Sequence, residues 1–231
     1  MTLIHEIQAD FKKAANKEKA KLLQRFFKTG KGEYGEGDIF LGIIVPIQRK
    51  IAYKYDGLDL EDIQKLLSSK IHEYRLTALF ILVKKYKKAD DKKIIFDFYL
   101  KNTPNINNWD LVDLSAPKIV GDYLSDKSKT ILYKLAKSDN IWERRISILA
   151  TFEFIKQNKF EDSIKIAEML LNDKHDLIHK GVGWMLREIG KKNQKVEERF
   201  LQKYYKDMPR TMLRYAIEKF SQEKRRLYLG K

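Results

Sequence analysis

At 231 residues, with 43% hydrophobic side chains and 12 Tyr, 12 Phe and 3 Trp, the chain can bury a core and is no disordered tract. Its 47 Lys and Arg against 32 Asp and Glu give a formal charge of +15, which attracts polyanions, nucleic acid before anionic membrane. The lack of Cys excludes disulfides, thiol catalysis and Cys-ligated metal centres, and the scarcity of Gly (11) and Pro (4) disfavours a turn-rich β-fold.

Residues 1–13 alternate charged and apolar positions and read as no signal peptide. Leu3, Ile4, Ile7, Phe11 and Ala14 fall on one helical face, and a second short helix is expected over 17–27. Gly30, Gly32, Gly35 and Gly37 follow. No strand precedes them and no Lys-Ser/Thr pair follows, so they are read as a flexible connection and not as a phosphate loop. The longest apolar run, 40–47, is interrupted by Pro46 and is far short of the roughly twenty residues of a membrane span. Pro46 can open the next helix. Helices are then predicted at about 60–68, 72–88, 91–101, 109–124, 127–137, 141–157, 161–172, 176–191, 195–206, 210–220 and 222–229.

The segment Glu73-Tyr74-Arg75-Leu76-Thr77 resembles Glu143-Arg144-Arg145-Ile146-Ser147, seventy residues on. Half that interval, stepped from Glu73, reaches Asn108, Glu143, Ile178 and Leu213, each near a predicted helix start. Two helices per repeat of this length indicate a single all-α domain over 1–231, an α-α superhelix of HEAT-like repeats. Inner helices would line a concave basic groove and bring distant residues together.

Candidate chemistry sits at those helix starts. Trp109 and Asp113 are four residues apart, hence neighbours on one helix face, with Leu111 and Val112 free to face the core. Taken alone, the segment is better explained by a part-buried Trp and a dipole-stabilised Asp. Arg145 can hold a phosphate or form an inter-repeat ion pair. Gly181 and Gly183 cost helix stability, so either a ligand or a neighbouring helix approaches closely beside Trp184. The pair His175 and His179 has helical spacing, but Asp176 stands where a zinc protease needs Glu and no third ligand is evident, so no metal is expected. The Lys84-Lys85-Tyr86-Lys87-Lys88 run reads as a solvated helix end.

Five stretches, in order, resemble the AlkD family of bacterial DNA alkylation-repair glycosylases. They are Phe40-Leu41-Gly42-Ile43 with Pro46 and Arg49; Asn108-Trp109-Asp110-Leu111-Val112-Asp113; Ser138-Asp139-Asn140-Ile141-Trp142 with Arg145; Gly183-Trp184 with Leu186-Arg187-Glu188; and Pro209-Arg210 leading to Arg214-Tyr215-Ala216-Ile217. The resemblance implies a HEAT-like fold and a monofunctional glycosylase for N3- or N7-alkylated purines in double-stranded DNA. It maps the catalytic Asp onto Asp113, the lesion-side tryptophans onto Trp109 and Trp184, and the active-site Arg onto Arg145. Arg49, Arg187 and Arg210 fall at DNA-binding positions. The Gly-containing stretch departs from the family pattern.

No deep-pocket motif is evident, and the resemblance implies work from the DNA backbone side, without a base-specific pocket. No cofactor, a monomeric state and a cytoplasmic location are expected. Two rival readings are a non-catalytic binder of unusual or branched DNA and a HEAT-type scaffold holding a peptide.

Overall fold

A computed structural model describes residues 3–230, which group into two units, one ending at Ser115 and one starting at Ala116. Among these residues the only β feature is an isolated bridge between Ile39 and Ile71; the fold is otherwise helical. No helix among them is long and apolar enough to cross a membrane.

The first unit contains α1 (Leu3–Ala14), α2 (Lys17–Phe26), α3 (Val45–Lys54), α4 (Leu60–Leu67), α5 (His72–Lys88), α6 (Lys92–Lys101) and α7 (Trp109–Ala116). Side-chain caps satisfy the open N–H groups that start several of these helices. Asn16 accepts from Lys19 N at 2.9 Å, Asp59 from Asp62 N at 2.8 Å, and Asp91 from Lys93 N at 2.9 Å. Pro46 lies in the first turn of α3, as its missing donor allows. The axis of the unit is α5, which packs against α3, α4 and α6 and buries thirteen of its seventeen residues. A helix buried on nearly all sides must be hydrophobic or must pair its polar groups internally. Most of α5 takes the first course; His72, Glu73 and Arg75 at its start take the second.

The Gly-containing stretch is not a loose connection. Lys28 adopts a left-handed φ of 51°, and successive turns close through Gly30 N to Glu33 at 2.9 Å, Gly32 N to Glu36 at 2.8 Å and Gly35 N to the Lys28 carbonyl at 3.0 Å. The glutamates between the glycines supply the acceptors, so the segment folds on itself and delivers Asp38 to the interior, 5% exposed.

The second unit opens with a wide π-turn at Pro117–Gly121 continuing into α8 (Asp122–Leu124). It proceeds through α9 (Thr130–Leu135), α10 (Ile141–Ala150), α11 (Phe152–Lys156), α12 (Glu161–Met169), α13 (Asp176–Lys192), α14 (Gln194–Tyr204), α15 (Arg210–Ala216) and α16 (Gln222–Leu229). The helix expected over 141–157 is broken at Thr151, whose hydroxyl donates to the Ile148 carbonyl at 2.7 Å. Helix α13 is the axis here and packs against α10, α12, α14 and α15. Its glycines serve that packing: a Cβ on Gly183 would lie 2.5 Å from the Met212 carbonyl oxygen of α15, and one on Gly181 would lie 3.1 Å from Leu149.

Within the units the pairs α4–α5, α9–α10 and α12–α13 repeat a helix-on-helix contact. The helices α5, α7, α10, α13 and α15 begin at His72, Trp109, Ile141, Asp176 and Arg210, close to the thirty-five-residue spacing expected of HEAT-like repeats.

One buried acid in the second unit has an energetic consequence. Glu197, in the first turn of α14, is 1% exposed, and its Oε1 has no hydrogen-bond partner. Burial, reinforced by the negative charge of Glu198 and opposed by Arg187, raises its carboxyl from 4.5 to about 8. The stability this group contributes is therefore full below pH 4.5 and is lost as pH rises through about 8, at up to ~1.4 kcal/mol per pH unit. Glu197→Gln is expected to flatten that slope and to unfold at higher urea than the parent above pH 8, as urea midpoints at pH 5 and pH 8.5 will measure.

Candidate functional site

Helix α7 begins on its own side chains. Asn108 accepts from the Trp109 amide at 2.8 Å, and Asp110 Oδ1 accepts from the Leu111 amide at 2.9 Å. With Leu111 and Val112 fully buried, the helix is fixed in rotation, and the half-buried Trp109 and Asp113 share the opposite face. Both line a cavity of about 490 Å³ within the first unit. The spacing of four residues thus does what it predicts.

Aromatic rings form the cavity wall. Trp109 stacks on Phe27 at 5.2 Å between centroids, Phe27 on Phe40 at 4.9 Å, and Phe40 on the His72 imidazole at 4.5 Å. Phe26 meets the Trp109 edge at 6.1 Å and stays 63% exposed. Rings in offset or edge contact gain beyond their buried area, and their faces attract cations.

Two charged groups at the start of α5 hold this wall. The Glu73 carboxylate, fully buried, accepts from the Leu41, Gly42 and Ile43 amides at 3.0, 2.8 and 3.2 Å. These bonds form only if the chain turns at Gly42, where φ is +80° and a Cβ would lie 2.1 Å from the Asn16 carbonyl oxygen. Side chains favour neither requirement, so glycine is needed. The result places Phe40 and Ile43 against the cavity. His72 bridges Asp38 at 3.0 Å through Nδ1 and Asp110 at 2.8 Å through Nε2, and Arg75 donates to Asp38 at 2.7 Å. Burial alone would favour neutral imidazole, but Asp110 and Asp38 outweigh it and raise the His72 pKa to about 9. Burial likewise disfavours the Asp38 charge, yet His72 and Arg75 hold its carboxyl below the usual range.

The remaining expected residues are not among those that line this cavity. Arg49, on α3, is exposed with its guanidinium 4.2 Å from the Phe80 ring centroid. In the second unit, Arg145 on α10 is 4% exposed and donates to the Leu177 carbonyl; its neighbour Arg144 makes the ion pair to the next repeat, with Asp173 at 2.6 Å. Trp184 on α13 is half-buried, 6.0 Å from the Phe152 ring, and its indole N–H donates to Glu188 at 3.0 Å. Arg187 is bonded to Glu218, and the exposed Arg210 donates to the Leu229 carbonyl at 2.9 Å. His175 caps α13, accepting from the Leu177 amide at 3.1 Å. Lys84 and Lys88 pair with Asp56 at 2.7 and 3.0 Å, so the lysine run is partly tied to α3's end.

The profile of the DNA alkylation repair enzymes matches residues 7–220. The chain belongs to that family. In fold it is similar to a predicted DNA alkylation repair enzyme from Enterococcus faecalis, at a TM-score of 0.72 and 16% identity over 90% of this chain and 97% of that one. It is also similar to smu.31 from Streptococcus mutans UA159, at 0.56 and 21% over 95% and 99%, and to AlkD2 from Streptococcus mutans, at 0.56 and 18% over 89% and 99%. No curated protein matches it in sequence.

The sequence spacing puts Trp109 and Asp113 on one face of this repair-family chain, but it does not reveal the residues that hold them. His72 and Glu73 sit in a stretch that looks like any polar helix start, and their partners lie thirty or more residues away. Phe26 and Phe27 end an amphipathic helix and carry no motif. Glu73→Gln keeps one acceptor oxygen for these amides but removes its charge and sets an Nε2 donor where the second oxygen faces the Leu41 amide. It is expected to destabilise the first unit by about 1–3 kcal/mol, measured by chemical denaturation. Since the His72 pKa lies above the ordinary 6.5, its stabilising charge is full below pH 6.5 and lost as pH rises through about 9. His72→Gln should abolish that part of the pH dependence.

Proposed function

We propose that the chain is a monofunctional glycosylase that releases cationic N3- or N7-alkylated purines from double-stranded DNA, with Asp113 as its central carboxylate. The observation that carries this reading is the placement of Asp113 and Trp109 on one wall of an aromatic cavity, in a chain of the alkylation repair family.

The chemistry asks for little beyond such a wall. Alkylation at N3 or N7 leaves the purine positively charged, so no acid is needed to make it a leaving group. The bond between C1′ and the base nitrogen breaks with its electron pair going to the base, which departs neutral. Positive charge passes to the deoxyribose, as in sugar hydrolysis. Water adds to C1′ and loses a proton. A carboxylate beside the sugar stabilises the cation and takes or orients that proton. The Trp109 face supports the same charge, and Trp184 is assigned the same role; Arg145 is assigned to holding a phosphate. Among the arginines proposed for the phosphates, Arg49 and Arg210 are exposed, whereas Arg187 is held by Glu218. A net charge of +15 supplies a sequence-independent attraction to the duplex.

Asp113→Asn is expected to fold, to bind DNA and to lose about 10²–10⁴-fold in release of methylated purine. A folded variant with parental rates sinks the assignment. Binding should weaken steeply as salt is raised; an affinity indifferent to salt would favour the peptide scaffold, and binding without base release the non-catalytic reader of DNA structure.

A further inference from the structure

The indole of Trp184 is held at its edge by a charged group. Trp184, Glu188 and Lys191 follow one another along α13 at spacings of four and three, so their side chains share one stripe of the helix. The indole N–H can only donate, and it donates to Glu188 Oε1 at 3.0 Å. The Lys191 ammonium meets the same oxygen at 2.7 Å, and Arg187 Nε stands 3.6 Å from it. The Glu188 side chain is only 14% exposed, so solvent screens this cluster less than it screens an open surface pair. The Trp184 ring also meets Phe152, with centroids 6.0 Å apart. Packing of that kind can hold an indole in place. A carboxylate at the N–H supplies something packing does not, a negative charge at the positive edge of the ring.

We propose that Glu188 is a positioning residue for base release: it orients the Trp184 indole and sets the ring face to hold a developing cation. The proposal rests on the glycosylase reading, which gives Trp184 a share of the sugar charge, and it names the group through which the ring does so. An aromatic face attracts cations because the ring carries its positive charge at the edge. A carboxylate that accepts the edge hydrogen draws that positive charge outward and leaves the face more negative. It also offsets Lys191 and Arg187, whose charges would otherwise oppose a cation over the same indole. A neutral sugar gains little from either effect. The benefit therefore falls on the transition state and not on the bound lesion.

The test is binding to two duplexes that differ at one sugar. One carries a pyrrolidine whose ring nitrogen is protonated where the sugar cation forms; the other carries an uncharged tetrahydrofuran. The parent is expected to prefer the cationic duplex by about tenfold or more. Glu188→Gln keeps an acceptor and the shape but drops the charge. It should lower that preference about three- to tenfold, and should lower kcat for release of 7-methylguanine without raising KM. In a Trp184→Phe background the same substitution should leave the preference unchanged, because the indole through which it acts is gone. A merely structural role would weaken both duplexes alike, and a charge acting directly on the DNA would change the preference as much without the indole as with it; either result overturns the proposal. In the free protein, the indole N–H proton resonance that Trp184→Phe removes should shift in Glu188→Gln. An unmoved resonance overturns the proposal whatever the variant does to DNA. The two readings fail separately. Parental preference and kcat in Glu188→Gln, with 7-methylguanine still released, remove the role of Glu188 and leave the glycosylase. A preference for the pyrrolidine duplex that depends on Glu188 and Trp184, with no base released from any cationic lesion, supports the role of Glu188 and removes the glycosylase.

Discussion

A charged imidazole under an aromatic wall is the constraint on which the first unit's site depends. His72 lies between Asp38 and Asp110, within hydrogen-bond distance of both. It joins three parts of the chain that have no sequence proximity: the turn-rich segment before residue 40, the start of α5 and the start of α7. Removing one member of a buried ionic group strands the others, at a typical cost of ~3–5 kcal/mol. The network therefore specifies one arrangement more than it adds net stability. Through Asp110 it fixes the first turn of α7, and Asp113 follows one turn later on the same rigid helix. Through the stacking of Phe40 on His72 it fixes the end of the ring ladder away from Trp109.

Glu73 does for the Phe40 end of that wall what His72 does for α7. Three amides converge on one carboxylate, and the turn that makes this possible exists because residue 42 lacks a side chain. Both groups belong to the first turn of the unit's most buried helix. A rigid central helix thus projects two charged residues that organise the loops around it, while its remaining length supplies the apolar core. Functional side chains set on such supports keep their geometry better than side chains on free loops.

The helices were legible because their signals are local. Apolar spacing and Pro46 at the start of α3 can each be read within a few residues. The pairing of Trp109 with Asp113 was legible for the same reason. The turn-rich stretch was misread because glycine content alone suggests looseness, whereas Glu33 and Glu36, placed to accept from Gly30 and Gly32, close it. The doubled glycines of α13 had two readings; helix packing against α15 accounts for Gly183. The cavity was invisible because no motif encodes it. Its polar members come from α3, α5 and α7, and its rings from the end of α2, the segment before α3 and the start of α7. Gln48 in particular looks like an ordinary polar residue on an exposed helix until its burial is known.

An aromatic wall is at first sight a poor place for a cation, since transfer of charge out of water is costly unless it is paired. In the proposed reaction that cost becomes the driving difference. In the proposed complex the lesion's sugar lies beside the Asp113 carboxylate and the Trp109 face; as the bond breaks, the charge leaves the base and appears on that sugar. The base is then neutral, while the new cation lies where Asp113 can act on it. The same groups thus favour the transition state over both the bound lesion and the bound product, which is the condition for catalysis as opposed to tight binding. A neutral base gains from neither stage, so discrimination against undamaged DNA needs no contact that reads the alkyl group.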